Sequence, residues 1–440
     1  MESSCSVTKK VDTLHNWLHS AGVAMPSRRD FVDAYCLQLR SLAIPLDRFW
    51  MSAVVLHPLT GAHAVKWEAE GGRITEARLS RDQFHHFVAD PANNPHASTM
   101  RSPMSQLMMG ETSVTIRNTD PNIPPDCDWM IPGGYTELFA LPPPGKLGVW
   151  PLESGVQPGK LEGGFTWSTK QPGGFTEQEK EILIRTVGAM STVTRLFIAL
   201  ENSKTLLQAY LGEDAGSRVH QGEIDRGEGL TIRSVVWFSD VRGFTQMSCE
   251  LSRTELIDVL NSVFELTHKI IHKHGGQILK LIGDGCMAIF SQSSKGFQRH
   301  SFSSGDKIEI DDEQGARVCA SARMAAAELQ SELSQWKLQR ETRGLKGASV
   351  GVGLHYGDVS YGNVGAAERL DFTVLGPCVN LASRTEGMCS NLGAKVLATG
   401  QFVQLDRDPD AWKCRGEYEL KGVSCPTTIF ELREDEICVR

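Results

Sequence analysis

Two stretches decide the fold of the C-terminal half: SVVWFSDVRGFT at 234–245 and QILKLIGDGCMAIFS at 277–291. In the first, an apolar run ends on Asp240, followed at once by a glycine-containing turn. In the second, two apolar runs flank Gly283-Asp284-Gly285, which reads as a strand, a tight turn and a strand. Strand ends hold side chains rigidly, and two carboxylates converging there can bind divalent cations. An aspartate in a turn also caps backbone amides, so neither position is diagnostic by itself.

Outward from these stretches the order becomes regular. Helical periodicity covers about 253–274, another helix covers about 315–340, and ASVGVGLHYG at 348–357 reads as a further strand. A βαββαβ order predicts an α+β sandwich with helices on one face of the sheet. The stretch 292–314, rich in Ser and Gly, reads as an exposed insertion.

Further residues gather around this frame. Gly243 permits a turn in which the amides of Phe244 and Thr245 point at a phosphate from a helix start. Lys280 stands four residues before Asp284, and alternation along a strand would put both on one face. Asn380 and Arg384 are four apart on a helix opening near Pro377, and so share a face. An arginine fork there can stabilise charge on a phosphoryl oxygen, and an asparagine can hydrogen-bond a sugar. His355 reads as a packed strand-end histidine rather than a general base.

In order and spacing, FSDVRGFT, LKLIGDG, GVGLHYGDVSYGNVG, DFTVLGPCVNLASR and YELKGVSCPTTIFEL resemble the class III adenylyl/guanylyl cyclase catalytic domain over roughly 231–433. The resemblance implies a ferredoxin-like palm domain. It implies that Asp240 and Asp284, with the Val241 carbonyl, hold two Mg²⁺ or Mn²⁺ ions per active site. It makes Lys280 the purine-selecting lysine, Asn380 the ribose-orienting asparagine, Arg384 the transition-state arginine, and Lys421 a minor triphosphate contact. Thr373 occupies the position where many ATP-using members carry aspartate, which resembles a threonine-type subgroup, some of whose enzymes respond to bicarbonate. A threonine hydroxyl both accepts and donates, so it discriminates weakly against guanine. Lys280, where guanylyl members usually carry glutamate, favours ATP.

The implied reaction converts ATP to 3′,5′-cyclic AMP and pyrophosphate, with guanylate cyclase or a silent cyclase-fold signalling module as alternatives. A diguanylate cyclase would show a GGDEF-like turn where this chain reads LIGDGCM. Family sites form between two catalytic domains, and this chain holds both sets of residues once, which implies a head-to-tail homodimer.

Residues 1–200 read as α/β, with strands in FWMSAVVLHPLTGAHAVKW, GYTELFALPPP and GGFTWST. A long amphipathic helix follows over 177–211, with Thr176 as N-cap and Glu179 three residues on. The segment FALPPPGKLGVWPLESGVQPGKLEGGFTWSTKQPGGFTEQEKEILIRTVGAM, at 139–190, resembles the last strands and exit helix of a GAF domain, implying a sensory or regulatory module for an unknown small-molecule signal. Cys36 and Cys127 have no partner at ligand spacing and read as structural. The expected organisation is a GAF-like domain at 1–200, a helical and polar linker at 201–230, and a catalytic domain at 231–434. EDAGSRVHQGEIDRGEG, at 213–229, carries the polar part of the linker.

With 45 Lys plus Arg against 53 Asp plus Glu, the net charge of −8 argues against coating nucleic acid. The 11 cysteines show no CxxC pair, which suits a reduced, cytoplasmic setting. No window approaches the ~20 apolar residues of a membrane span.

Overall fold

The computed structural model describes residues 2–55, 60–80, 102–108, 111–144, 163–227, 229–291, 312–366 and 368–438. The chain divides into two compact units between Leu206 and Leu207.

In the N-terminal unit, helices α1 (Glu2–Trp17) and α2 (Arg28–Ser41) precede β1 (Arg48–Val54), β2 (Thr60–Glu68) and β3 (Arg73–Ser80). The short helix α3 (Pro103–Met108), β4 (Val114–Arg117), β5 (Glu137–Leu141), β6 (Gly163–Thr169) and α4 (Glu177–Leu211) follow. The strands form one sheet in the order β3-β2-β1-β6-β5-β4. Every pairing is antiparallel. Among the described residues the unit therefore departs from the α/β expectation, because neighbouring strands all run antiparallel and none form the parallel pairs that crossover helices join.

Its core joins Phe31 and Tyr35 of α2, Phe49 of β1, Phe165 and Trp167 of β6, and Leu183, Met190 and Phe197 of α4. Helix α4 opens with the capping box its sequence announces. Thr176 N donates to Glu179 Oε2 at 2.7 Å, and Glu179 N donates to Thr176 Oγ1 at 3.3 Å. Contrary to expectation, α4 is long and apolar enough by length and composition to cross a membrane, but 56% of its apolar window is buried within the protein. Cys36 and Cys127 are buried in separate clusters, and burial holds the Cys36 thiol well above its ordinary value and Cys127 at about 12. Neither is poised to react.

In the C-terminal unit, the first eight residues of the stretch read as the polar part of the linker form α5 (Glu213–His220). Arg218 ties it together through Asp214 and Glu223, each at 2.8 Å. Then come β7 (Gly229–Val241), α6 (Phe244–Glu250), α7 (Arg253–Lys273), β8 (Gln277–Ile282), β9 (Gly285–Ser291), α8 (Asp312–Glu341) and β10 (Val350–Ala366). They give the expected βαββαβ order. Of the insertion read over 292–314, residues 292–311 lie outside the described residues and 312–314 open α8. Next are β11 (Arg369–Leu375), α9 (Pro377–Leu392), β12 (Val396–Thr399), α10 (Gly400–Leu405), β13 (Trp412–Tyr418), β14 (Thr427–Leu432) and α11 (Glu434–Cys438).

The sheet runs β13-β14-β12-β10-β7-β9-β8, with β11 pairing onto β10. On one face, Val235 and Trp237 of β7 and Val350, Val352 and Leu354 of β10 pack with α7 (Val259, Val263, Ile270) and α8 (Ala322, Ala326, Leu329). The other face is covered too, against the one-face expectation. Val236, Val359 and Tyr361 pack there with Ala382 of α9 and Ala215 of α5.

Strand β10 explains how α9 is seated. Its Val350, Val352 and Leu354 side enters the core, and its opposite side carries Gly351, Gly353, His355 and Gly357. A Cβ on Gly353 would overlap the backbone of α9 at Ala382 and Glu386, and one on Gly357 would overlap Cys378 Sγ. The helix lies at backbone distance because those side chains are missing.

Candidate active site

Asp240 is the penultimate residue of β7 and pairs across the sheet with Gly285 of β9 and Gly351 of β10. Asp284 lies in the two-residue turn joining β8 to β9, which Gly283 opens with φ 63°. The two carboxyl groups are close enough for each to weigh on the other's charge. Burial first, and the neighbouring Asp284 second, push Asp240 above the usual carboxylate range. Gly285 is needed between them, because a Cβ there would stand 2.8 Å from Asp240 Oδ1 and overlap the Ser239 carbonyl.

Two like charges held together at a strand end favour a proton or a divalent cation between them. Asp240 and Asp284, with the adjoining Val241 carbonyl, could hold such an ion. Among the described residues no group of three His, Cys, Asp or Glu side chains gathers as a metal site. A pair of carboxylates suits Mg²⁺, which completes its shell with water and substrate phosphates.

Gly243 takes the left-handed conformation at φ 69° and starts α6, whose first backbone bond runs from Met247 N to Gly243 O. The amides of Phe244 and Thr245 thus head the helix without intrahelical acceptors, as an anion requires.

Lys280 does not turn to Asp284. The strand is regular from Lys280 to Ile282, but it ends there, and Asp284 lies beyond it in the turn, where strand alternation no longer applies. Lys280 Nζ instead pairs with Asp371 of β11. Asp371 and Thr373 fall on the same side of that strand, since the intervening Phe372 is buried against Tyr361. The structure therefore gathers Lys280 and Thr373 at one edge and Asp240 and Asp284 at another corner.

Asn380 and Arg384 are both exposed on α9, and neither side chain makes a hydrogen bond or ion pair among the described residues. Ala382, Thr385 and Cys389 form the helix's buried side. Lys421 is exposed in the connection between β13 and β14. His355 is 1% exposed, with Nδ1 2.8 Å from Thr399 Oγ1, and burial depresses its pKa to about 4. It is a neutral core residue, as its sequence context suggests.

Two residues that carry the electrostatics escaped the sequence reading. Arg242 Nη2 donates to Glu386 Oε1 at 2.8 Å, and Nη1 donates to Ser390 Oγ at 2.5 Å. Burial, with Asp240 and Asp284 adding to it and Arg242 opposing, raises Glu386 to about 7. The signal available was the charge of Arg242 two residues after Asp240, but its partner lies 144 positions away.

A family model of the adenylate and guanylate cyclase catalytic domain matches residues 232–433. An adenylate cyclase of Anabaena cylindrica is 30% identical over 217 residues, which cover 48% of this chain and 38% of that protein. Adenylate cyclase 1 of Rhizobium meliloti (strain 1021) is 30% identical over 195 residues, 44% of this chain and 26% of that protein. The chain thus spans well under half the length of these curated relatives. Among solved structures, the adenylyl cyclase CyaB from P. aeruginosa covers 47% of this chain and 96% of its own, at 28% identity and a TM-score of 0.39.

Proposed function

We propose, from the premise that residues 232–433 are an adenylate and guanylate cyclase catalytic domain, that the protein is an adenylate cyclase making 3′,5′-cyclic AMP and pyrophosphate from ATP. The observation that carries this reading is the Asp240–Asp284 pair, two carboxyls brought together at one strand end inside the matched domain.

Two Mg²⁺ or Mn²⁺ ions at this pair would supply Lewis-acid charge that makes the ribose 3′-hydroxyl a better nucleophile and offsets the triphosphate. The 3′-oxygen attacks the α-phosphorus, the bond to the bridging oxygen of the β-phosphate breaks, pyrophosphate leaves, and the hydroxyl proton passes to solvent. Arg384 stabilises negative charge on the α-phosphoryl oxygens, and Asn380 orients the ribose. The amides after Gly243 receive phosphate oxygens, and Lys421 adds a peripheral positive charge. Lys280 and Thr373 meet the purine edge, with the lysine favouring ATP over GTP.

The site is shared between two chains in a head-to-tail dimer. Asp240 and Asp284 come from one, and Lys280, Thr373, Asn380 and Arg384 from the other. Supporting this, the Arg384 and Asn380 side chains have no partners among the described residues, and large apolar residues stand exposed on β8 (Leu281, Ile282) and on the β10–β11 arm (Val364, Leu370, Leu375). The N-terminal unit is read as a cytoplasmic GAF-like sensor acting through α4, supported by the run from β6 straight into that capped helix.

The test is product formation from ATP and from GTP by the purified chain with Mg²⁺ or Mn²⁺. Cyclic AMP from ATP that is lost in Asp240→Ala, by on the order of 10³-fold, is the expected result. Cyclic GMP as the main product would transfer the reading to guanylate cyclase, and no cyclic product under any condition would end it.

A further inference from the structure

We propose that Arg242 is a positioning residue, a strap that fixes α9, and with it Asn380 and Arg384, against the carboxylate corner of the same chain. The inference rests on the shared-site reading above and adds a consequence to it.

The geometry is two-pronged. The Arg242 guanidinium reaches Glu386 at 2.8 Å and Ser390 at 2.5 Å, positions one helical turn apart on α9. Its own backbone is anchored, since Arg242 N donates to Ser349 O at 2.8 Å. The guanidinium lies over Gly351, where a Cβ would overlap it. The Arg242 and Glu386 side chains are 24% and 13% exposed, so this charge-assisted contact is well shielded from water. The backbone of Glu386 meanwhile rests on Gly353. A fork gripping two successive turns resists both sliding and rolling of the helix, which a single point charge would not.

Helix α9 carries Asn380 and Arg384 on its exposed side. A slide by one residue displaces them by about 1.5 Å, and a misplacement of about 1 Å costs on the order of 10²-fold in rate. In a head-to-tail dimer the carboxylates of one chain and the α9 of that chain belong to different active sites. The strap therefore links one site's cation corner to the other site's transition-state helix, and its loss acts across the dimer.

Differently tagged Asp240→Ala and Arg384→Ala chains, full length and co-purified, would form one complete site per mixed dimer. That site uses the carboxylates of the Arg384→Ala chain and the α9 of the Asp240→Ala chain. Adding Arg242→Met to the Asp240→Ala chain leaves the complete site's own carboxylate corner untouched. We expect kcat to fall by about 10- to 100-fold. KM for ATP, Mn²⁺ binding followed by electron paramagnetic resonance, and the melting temperature of the mixed dimer should stay put. Glu386→Gln in the same chain, which keeps the side-chain shape, should give a smaller fall in kcat with the same unchanged binding.

An unchanged kcat for both variants overturns the strap. So does a loss seen only when Arg242→Met is placed in the Arg384→Ala chain, which would make Arg242 a local partner of the carboxylates. If wild type is active but the unsubstituted mixture is not, the shared-site reading fails and takes this inference with it, a result distinct from an intact shared site that ignores Arg242.

Discussion

The carboxylate corner at the end of β7 and the exposed stripe of α9 belong to the same unit, yet they are built differently. Asp240 and Asp284 are held by the pairing of β7 with β9, by the Gly283 turn and by Gly285, which has no room for a side chain. Asn380 and Arg384 point away from the buried side of their helix and find no partner in the described chain. One region is finished by its own fold. The other has its backbone fixed, by β10 and Arg242, while the ends of Asn380 and Arg384 stay exposed. An arginine and an asparagine left free on a rigid helix make sense when the group they serve arrives from outside, as nucleotide and second chain would.

The sharpest way to break this contrast is Arg384→Ala. It should cost on the order of 10²–10³-fold in cyclic AMP formation without lowering the melting temperature, because the side chain is exposed and bonds to nothing among the described residues. A large loss of stability would show that the stripe is structural after all.

Next in size is Gly353→Ala, aimed at the seat of the helix rather than its ends. The added methyl meets α9 backbone, which cannot rotate away, so thermal or urea denaturation should show a loss of about 1–3 kcal/mol. Activity should fall with it as the helix is displaced.

His355 sharpens the same comparison through pH. Its folded pKa of about 4 lies below the ordinary 6.5, so between these values the unfolded chain binds more protons than the folded one. Its contribution is therefore complete above pH 6.5 and is lost as pH falls toward 4, by on the order of 3 kcal/mol at most. His355→Gln, which can still bond Thr399, should flatten that part of the stability profile in denaturant titrations run across the window.

The smallest effect is expected at Lys421. It is exposed in a connection, and Lys421→Ala should change KM for ATP by no more than about threefold, as suits a peripheral, solvent-screened charge. A larger shift would place that connection in the site.

The frame was readable because its signals are local. The β7–α7–β8–β9–α8–β10 order follows from periodicity, and the Thr176–Glu179 cap was visible as two residues three apart. What escaped depends on distant neighbours. EDAGSRVH looks like linker, with its polar residues and its glycine, but Gly216 is a packing glycine. A Cβ there would stand 2.5 Å from backbone atoms of Leu207 and Gln208. Asp214 also receives the Tyr361 hydroxyl from 147 residues away. Lys280 could be singled out as a charge in an apolar strand, whereas its partner Asp371 required knowing that the β11 arm reaches β8. The antiparallel N-terminal sheet was likewise hidden, since β3 is mostly exposed and β4 is only 4 residues long.

The run of glycines along one side of β10 has a consequence for how this sequence can vary. Substitutions there are graded, but a change of length is not. Inserting or deleting a single residue within 350–357 would exchange the two sides of the strand, sending Val352 and Leu354 up against the helix and the glycines into the interior. Both layers would lose their fit in one step. Loops of this unit can lengthen freely by comparison, while β10 has to be inherited at constant length.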